Sequence, residues 1–564
     1  MKTVVVEEPA AVSPWRLVNR VTLGLTVAGF AAAAWDRRWM SDDGLIVLRT
    51  VRQLLAGNGP VFNVGERVEA NTSTLWTYLL AAFGWVPGIP LEWVAVVTGL
   101  LCAAAGLLLA LDGARRLSGG FALPAGGLVV LALPPFRDFA TSGLETGLIL
   151  LWLGGTWWLL VRRALRQPCG PLWTTAVAVG LGVLVRPDLL LFSVFAGIGL
   201  LVLEWRGWRA AAAWLAAAAA LPLAYQVFRM GYYGLLTPNT ALVKEASRVR
   251  WDEGWAYLDD FFTPYLLWIP LALCALAALL RRFSFDRRVV VVCAVPVVAG
   301  LAQALYVVRM GGDFMHARML LPALFCLLLP VMAVRLTRAS ALPVAALGAY
   351  ALVAAVDLRT PYAGLPAPLD EATGIADERA SYVIASGHAN PVLATDFAQF
   401  TAIADRLRPR LAAEPGPVLF WDDDTWHAYP SAAGYSAGTF FNIGGPGLLL
   451  PLEVAVHDPI GLANPVAAHT TPYPDRRVGH DKYAGTIWAV ADQALGTPAE
   501  FPPDNLAAIR RTLACPQVRE MLDSVRAPWT FARFRENVVG AFARTGLRYD
   551  HDPVKAQYCG PPDR

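Results

Sequence analysis

WDRRWMSDDGLIVLRTVRQLLAGNGPVFNVGERVEANTSTLWTYLL, residues 35–80, follows directly on an apolar run. Adjacent Asp42 and Asp43 and five arginines (Arg37, Arg38, Arg49, Arg52 and Arg67) crowd the place where that run ends. Within it, Leu45, Ile46, Leu48, Val51 and Leu55 recur at helical spacing, which predicts an amphipathic helix opening on the aspartates. Neighbouring residues on a helix point roughly 100° apart, so the two carboxylates cannot form a simple dyad. One is expected to face a cavity, while Ser41 or Asp42 suits the helix N-cap.

Working outward, the surroundings are greasy. Of 564 residues, 56% are hydrophobic and 16% charged, and the mean hydropathy is +0.45. Soluble globular chains carry roughly 25% charged residues, so this is a membrane protein. A net charge of +3 gives no case for nucleic acid. Glu7 and Glu8 dilute the basic start and no A-x-A site follows, so the first apolar run reads as a retained helix.

Eleven runs approach the length needed to span, about 20 residues each: 17–35, 91–111, 121–136, 143–161, 172–186, 189–204, 210–229, 263–280, 289–308, 318–334 and 340–356. Segment 73–86 is shorter, ends in VPGIP, and reads as a helix lying at the interface. One set of alternate loops (DGARRLSGG, VRRALRQP, EWRGWR, RRFSFDRR and VRLTRAS) holds thirteen arginines against few acids, which marks it as cytoplasmic. The other set then faces outward with Asp42 and Asp43, PPFRDFATSGLET, VRPDL, RMGYYGLLTPNTALVKEAS and RMGGDFMHAR. Charge of mixed sign therefore gathers on one side.

The division falls after residue 357. Residues 1–357 form the membrane part; residues 358–564 are rich in Pro, Gly, Asp and Arg, have no spanning run, and are expected to fold as a soluble α/β domain outside the membrane. Cys515 and Cys559 lie in that domain. In an oxidising compartment they are disulfide candidates, the alternative being two unpaired thiols.

Several outward clusters have the chemistry of a site. Glu145 stands just inside the outer end of a span, where an acid is costly and usually has a purpose. Arg186 and Asp188 flank a proline between two spans and read equally well as a structural ion pair. Tyr232, Tyr233 and Asn239 precede Lys244, whose compact charge suits a lipid phosphate. Arg309, Asp313, His316 and Arg318 fall within ten residues around a glycine pair, an arrangement suited to phosphate recognition. No Gly-rich phosphate loop, G-x-G-x-x-G or H-E-x-x-H is present, so a nucleotide-dependent reaction has no visible seat.

Polar outer loops on a bundle of about eleven spans, with acids in the first, resemble the GT-C superfamily of glycosyltransferases. More narrowly, RRWMSDDGLIVLRTVRQLL, SGLET, RPD, YYGLLTPNTALVKEAS, GGDFMHARMLLP and VHDPIGLANPVAAH…RRVGHDK (456–482) resemble, in order, the AftB family of terminal arabinofuranosyltransferases. The resemblance implies a decaprenyl-phospho-arabinofuranose donor. It implies an arabinan acceptor in arabinogalactan and lipoarabinomannan, a β-(1→2) cap formed with net retention, and a C-terminal domain that helps hold the glycan. It carries the catalytic role to Asp42 and Asp43. Lys244, Arg309, Arg318 and His316 are then expected to hold the donor phosphate. Glu145, Arg186, Asp188, Tyr232, Tyr233, Asn239 and Asp313 are expected to contact substrate. No cofactor is required, although Asp plus phosphate is compatible with a divalent cation. The alternatives are another polyprenyl-phospho-sugar, or a transporter of a lipid-linked sugar, against which stand the lack of a repeat and the placement of charge at helix ends.

Overall fold

The computed structural model describes residues 15–245, 248–280, 286–413, 417–422, 425–432, 436–473 and 476–559. Among these, five helices are long and apolar enough to cross a membrane: Leu17–Asp36, Leu91–Ser118, Pro187–Glu204, Trp208–Tyr233 and Arg287–Arg309. Shorter apolar helices follow the other expected runs, including Leu172–Val185, Trp268–Leu279, Arg318–Val331 and Ala341–Val356. The 121–136 run, expected as one span, is divided into a two-residue strand, an Ala125–Ala132 helix and a Pro134–Phe139 helix. The proline pair explains the break: the residue before a proline is pushed out of helical backbone, and Leu133 is extended at φ −75°, ψ 119°.

The bundle is drawn together by small residues. Gly99 and Gly106 on the Leu91–Ser118 helix lie against Gly147 and Gly154 on the Thr146–Ala164 helix, and a Cβ at Gly147 or Gly154 would strike the facing backbone. Side chains seven apart return to nearly the same face of a helix, so the two pairs form one seam. Close backbone approach is how helices associate where lipid removes the hydrophobic drive.

Beyond the membrane part lies the α/β domain. Strands β1 (Ala122–Leu123) and β2 (Val334–Arg335) belong to the bundle, pairing antiparallel. The domain holds β3 (Pro417–Asp422), β4 (Thr425–Pro430), β5 (Ala437–Thr439) and β6 (Ala455–His457), in the order β4-β3-β5-β6. The first pair is an antiparallel hairpin, and β5 and β6 add in parallel. Beside β6, Asn63 of the first loop exchanges two hydrogen bonds with the Val456 backbone, at 2.9 and 2.8 Å, so a side-chain amide acts as the next strand. Cys515 and Cys559 are joined in a disulfide.

The opening stretch is the seam between the two parts. The Asp42–Leu55 helix runs alongside the Gly444–Leu449 helix of the domain. Asp42 accepts the Gly444 and Gly445 N–H groups at 3.1 and 3.0 Å, at the positive end of that short helix. At its negative end, Arg49 donates to the carbonyls of Gly447 (2.5 Å) and Val454 (2.6 Å), and Arg52 to that of Leu448. A Cβ at Gly444 would collide with Asp42, which is why the domain presents bare glycine here.

Candidate active site

Ser41 is the N-cap of the Asp42–Leu55 helix, accepting the Gly44 N–H at 3.0 Å. That leaves the aspartates free of capping their own helix, and the turn of the backbone sends them apart. Asp42 is buried against the domain. Asp43 projects into open space, its side chain 28% exposed, with the Arg318 guanidinium at 3.4 Å.

Two cavities meet at Asp43. An inner one, about 70 Å³, is lined by Asp43, Asn71, Glu145, Thr240, Lys244 and Arg318. An outer one, about 270 Å³, is lined by Asp43, Glu378, Gln399, Asn442 and Arg477. Asp43, Phe314, Ile460, Leu462 and His480 belong to both. The bundle supplies the inner floor and the α/β domain the outer wall.

Arg318 organises the charge. Besides Asp43, it lies 3.6 Å from Glu145 and 3.7 Å from Asp313. Behind Glu145 stands Arg186, at 3.5 Å, itself clasped by both oxygens of Asp188 at 2.6 and 2.7 Å. Gln303 completes this brace through Asp188. Arg186 and Asp188 therefore support Glu145 without lining either cavity. Lys244 lies 3.8 Å from Asp313 and reaches the inner cavity with 29% of its side chain exposed.

Unpaired polar atoms converge here. Asn71 Oδ1, Thr240 Oγ1, Arg318 Nε, His480 Nδ1, Asp313 Oδ2 and Glu378 Oε2 are buried without a hydrogen-bond partner. Buried polar atoms are nearly always satisfied, and such a concentration around one space marks a place that a polar ligand completes. Among the described residues no cluster of His, Cys, Asp and Glu suited to a metal ion is formed; the cation between the carboxylates is the Arg318 guanidinium.

Five further expected contacts line neither cavity. His316 is bonded to Asp260 at 2.6 Å and Tyr265 at 3.2 Å, away from both cavities. The intervening Ala317 has φ 63°, a left-handed turn that sends His316 and Arg318 to opposite sides. Arg309 ends its helix, its carbonyl taken by the Arg250 N–H at 2.8 Å, and lines neither cavity. Tyr233 donates to the Pro60 carbonyl at 2.7 Å, and Tyr232 packs on Trp529. Asn239 holds the domain, donating to Gly461 and Leu462 at 2.6 and 3.2 Å and so fixing Leu462 as cavity wall. The VHDPIG motif does the same: Asp458 accepts the N–H groups of Gly461, Leu462 and Ala463.

Several lining residues escaped sequence reading, Glu378 and His480 among them. Burial, reinforced by nearby Asp43, pushes the Glu378 carboxyl well above the usual carboxylate range, so it holds its proton more tightly than a free glutamate. Burial, with Arg477 and Lys244 nearby, pushes the His480 imidazole down to about 3, so it is neutral. Asp42 is pushed up to about 6, its burial outweighing the Gly444 and Gly445 hydrogen bonds. Its folded value lies above the ordinary 3.8, so the folded chain holds this proton more tightly. The contribution is full below 3.8 and is lost as pH rises to about 6, a swing of about 3 kcal/mol. Asp42→Asn should abolish that slope and, because the Asp42 charge is one of those that raise Glu378, lessen the Glu378 contribution in the same sense. Denaturation of both proteins across the interval measures it; parallel stability curves would sink the assignment.

The C-terminal domain of the AftB family matches residues 428–557. A terminal β-(1→2)-arabinofuranosyltransferase of Mycobacterium tuberculosis is 40% identical across 95% of this chain and 96% of its own length. The chain belongs to the AftB family. A protein of the same name from Corynebacterium glutamicum is 37% identical across 93% of this chain and 85% of its own. No solved structure matches the chain. Both AftB-family relatives align across membrane part and domain alike, so the seam at Asp42 lies within the region they share.

Proposed function

We propose that this chain is a membrane glycosyltransferase that moves arabinofuranose from decaprenyl-phospho-arabinofuranose to the non-reducing ends of cell-wall arabinan, in arabinogalactan and lipoarabinomannan, as terminal β-(1→2) linkages. The relatives' name, terminal β-(1→2)-arabinofuranosyltransferase, supports the sugar and the linkage. The observation that carries the site is Asp43, the one acid common to both cavities. In this reading the bundle is a GT-C fold of eleven spans, with the arginine-rich loops cytoplasmic and the cavities and C-terminal domain on the periplasmic face. The donor enters the inner cavity, where Lys244 and Arg318 hold its phosphate. The acceptor enters the outer one, which shares Gln399, Phe441 and Asn442 with a groove carrying Phe400, Trp426 and Phe440. Aromatic faces beside amides suit a sugar chain, so the domain serves as a glycan holder.

The bond between C1 and the phosphate oxygen breaks as the acceptor 2-hydroxyl attacks C1, and the departing phosphate takes the hydroxyl proton. A β donor giving a β product is net retention. Two-step retaining enzymes place two carboxylates about 5 Å apart; here attack on the face the phosphate leaves needs only one. Asp43 stabilises positive charge developing on the ring and orients the hydroxyl, and Glu378, whose burial favours the protonated form, offers a hydrogen-bond donor beside it.

Lys244→Met should raise the donor KM by roughly ten- to a hundredfold, the worth of one charge-assisted hydrogen bond, with a smaller change in kcat. An unchanged KM would remove Lys244 from the phosphate site. The reaction itself is tested by incubating purified protein with synthetic polyprenyl-phospho-arabinofuranose and a short α-(1→5)-arabinan, the product linkage being read by NMR. A new terminal β-(1→2) arabinose supports the proposal. A well-folded protein inert with this and other polyprenyl-phospho-sugars would favour a transporter.

A further inference from the structure

The Phe531–Gly546 helix closes the C-terminal domain over one end of the Trp208–Tyr233 helix. One face does the docking. Asn537 donates to the Gly231 carbonyl at 3.0 Å and Arg544 to the Gly234 carbonyl at 2.9 Å. Thr545 accepts the Leu236 N–H at 2.9 Å, and Trp529, just before the helix, meets Tyr232 at 5.6 Å. Gly231 has no side chain because the Phe534 ring occupies that space. This face is complete: Asn537, Ala541 and Arg544 are buried.

The opposite face is bare. Phe531 is 77% exposed, Val539 84% and Phe542 79%. With a turn of about 100° per residue these three fall within about 80° of one another, across the helix from the docking residues. Trp529 adds an aromatic at the same end, 54% exposed. Large apolar side chains gathered on one face of a water-facing domain are a liability unless something covers them.

What covers them follows from the neighbour. Only 6% of the Trp208–Tyr233 hydrophobic window is buried within the protein, and Leu215, Leu221, Leu223 and Val227 are exposed along it. A helix that crosses a membrane in this way is surrounded by lipid. The Phe531–Gly546 helix is bonded to its last turn, so its bare face continues a lipid-facing surface. Arg535, exposed within that face, matches the phosphate layer, where a long side chain lays its stem along apolar surface and keeps its charge outside. We infer that this helix lies in the bilayer surface, with Phe531, Val539 and Phe542 inserted among the acyl chains of the leaflet that receives the Gly231 end of the Trp208–Tyr233 helix. Amphipathic helices with aromatic and aliphatic residues on one face and arginine beside them bind membranes in this manner. The inference is independent of which sugar the protein transfers.

The test uses the full chain in vesicles of phosphatidylethanolamine and phosphatidylglycerol that contain a phospholipid with a diazirine close to the carbonyl of one acyl chain. After irradiation, peptides are mapped by mass spectrometry. Lipid adducts on Phe531, Val539 or Phe542, together with adducts on the Trp208–Tyr233 helix, are expected. The double variant Phe531→Asp, Phe542→Asp leaves the docking face untouched and should lose adducts on residues 529–546 several-fold while those on the spanning helix persist. Adducts confined to the spanning helix in the wild type would overturn the inference, whether water or a second copy covers the face; so would equal labelling of wild type and variant.

Discussion

Asp43→Asn is expected to cut transfer by roughly 10²–10⁴-fold, the range for loss of a positioned proton-handling or charge-stabilising group, with no loss of thermal stability. The stability half follows from the contacts. Asp43 is partly exposed and pairs with Arg318 at 3.4 Å, a long contact. Arg318 keeps Glu145 and Asp313 when that charge goes. An amide of the same shape leaves both cavities as they are, so KM for donor and acceptor should move little while kcat falls. Single-turnover assays on variants whose melting matches wild type decide it. Substantial transfer by Asp43→Asn, or a dead but well-folded Asp42→Asn beside it, would exchange the roles of the two aspartates.

Arg49→Met should destabilise the chain by about 3–5 kcal/mol, the summed cost of leaving buried carbonyls without their donor at about 1–3 kcal/mol each. Arg49 is fully buried, and its three donated bonds all go to carbonyls: Phe62 at 2.9 Å, Gly447 and Val454. Burial pushes it down to about 9, so it remains a cation at neutral pH. Without it, the Gly447 and Val454 carbonyls lose this donor beside the negative end of the Gly444–Leu449 helix, and Phe62 keeps only Gln53 at 3.4 Å. Arg49→Lys should recover little, because an ammonium cannot present the flat fork that reaches three acceptors. Proteolysis around residues 444–454 and the midpoint of unfolding measure the effect. Wild-type values for both would show that the domain is held elsewhere.

The sequence displayed the charge in residues 35–80 but not its use. The helical spacing from Leu45 to Leu55 is local, so the amphipathic helix was legible, as was an acid facing a cavity. Arg49 was not: its partners at Gly447 and Val454 are 398 and 405 positions away. Among the described lining residues of the two cavities, none is one of the five arginines. Arg37 pairs with Asp138, Arg38 lies over Trp35, Arg67 reaches Tyr232 and Ser524, and Arg49 and Arg52 clasp the domain. Lys244 was visible as a compact charge after turn residues, and Arg318 as one of two arginines around a glycine pair. His316 looked equivalent to Arg318 because sequence spacing does not reveal the left-handed backbone at Ala317. Glu378 stands in the first turn of the Glu378–Ser386 helix, where negative charge is favoured anyway, so nothing local marks it. Only burial beside Asp43 sets it apart.

The outer wall bears on how the protein comes into being. A ribosome delivers residues 17–356 to the membrane well before Phe441, Ile460, Leu462 and His480 exist, yet those four complete the space around Asp43. The Gly444–Leu449 helix that fixes the base of Asp42 also arrives late. An unfinished chain therefore carries Asp43 on an open surface. The space around it closes only when the last third has been made and folded back onto the first loop, so the pocket is among the last features of the protein to mature.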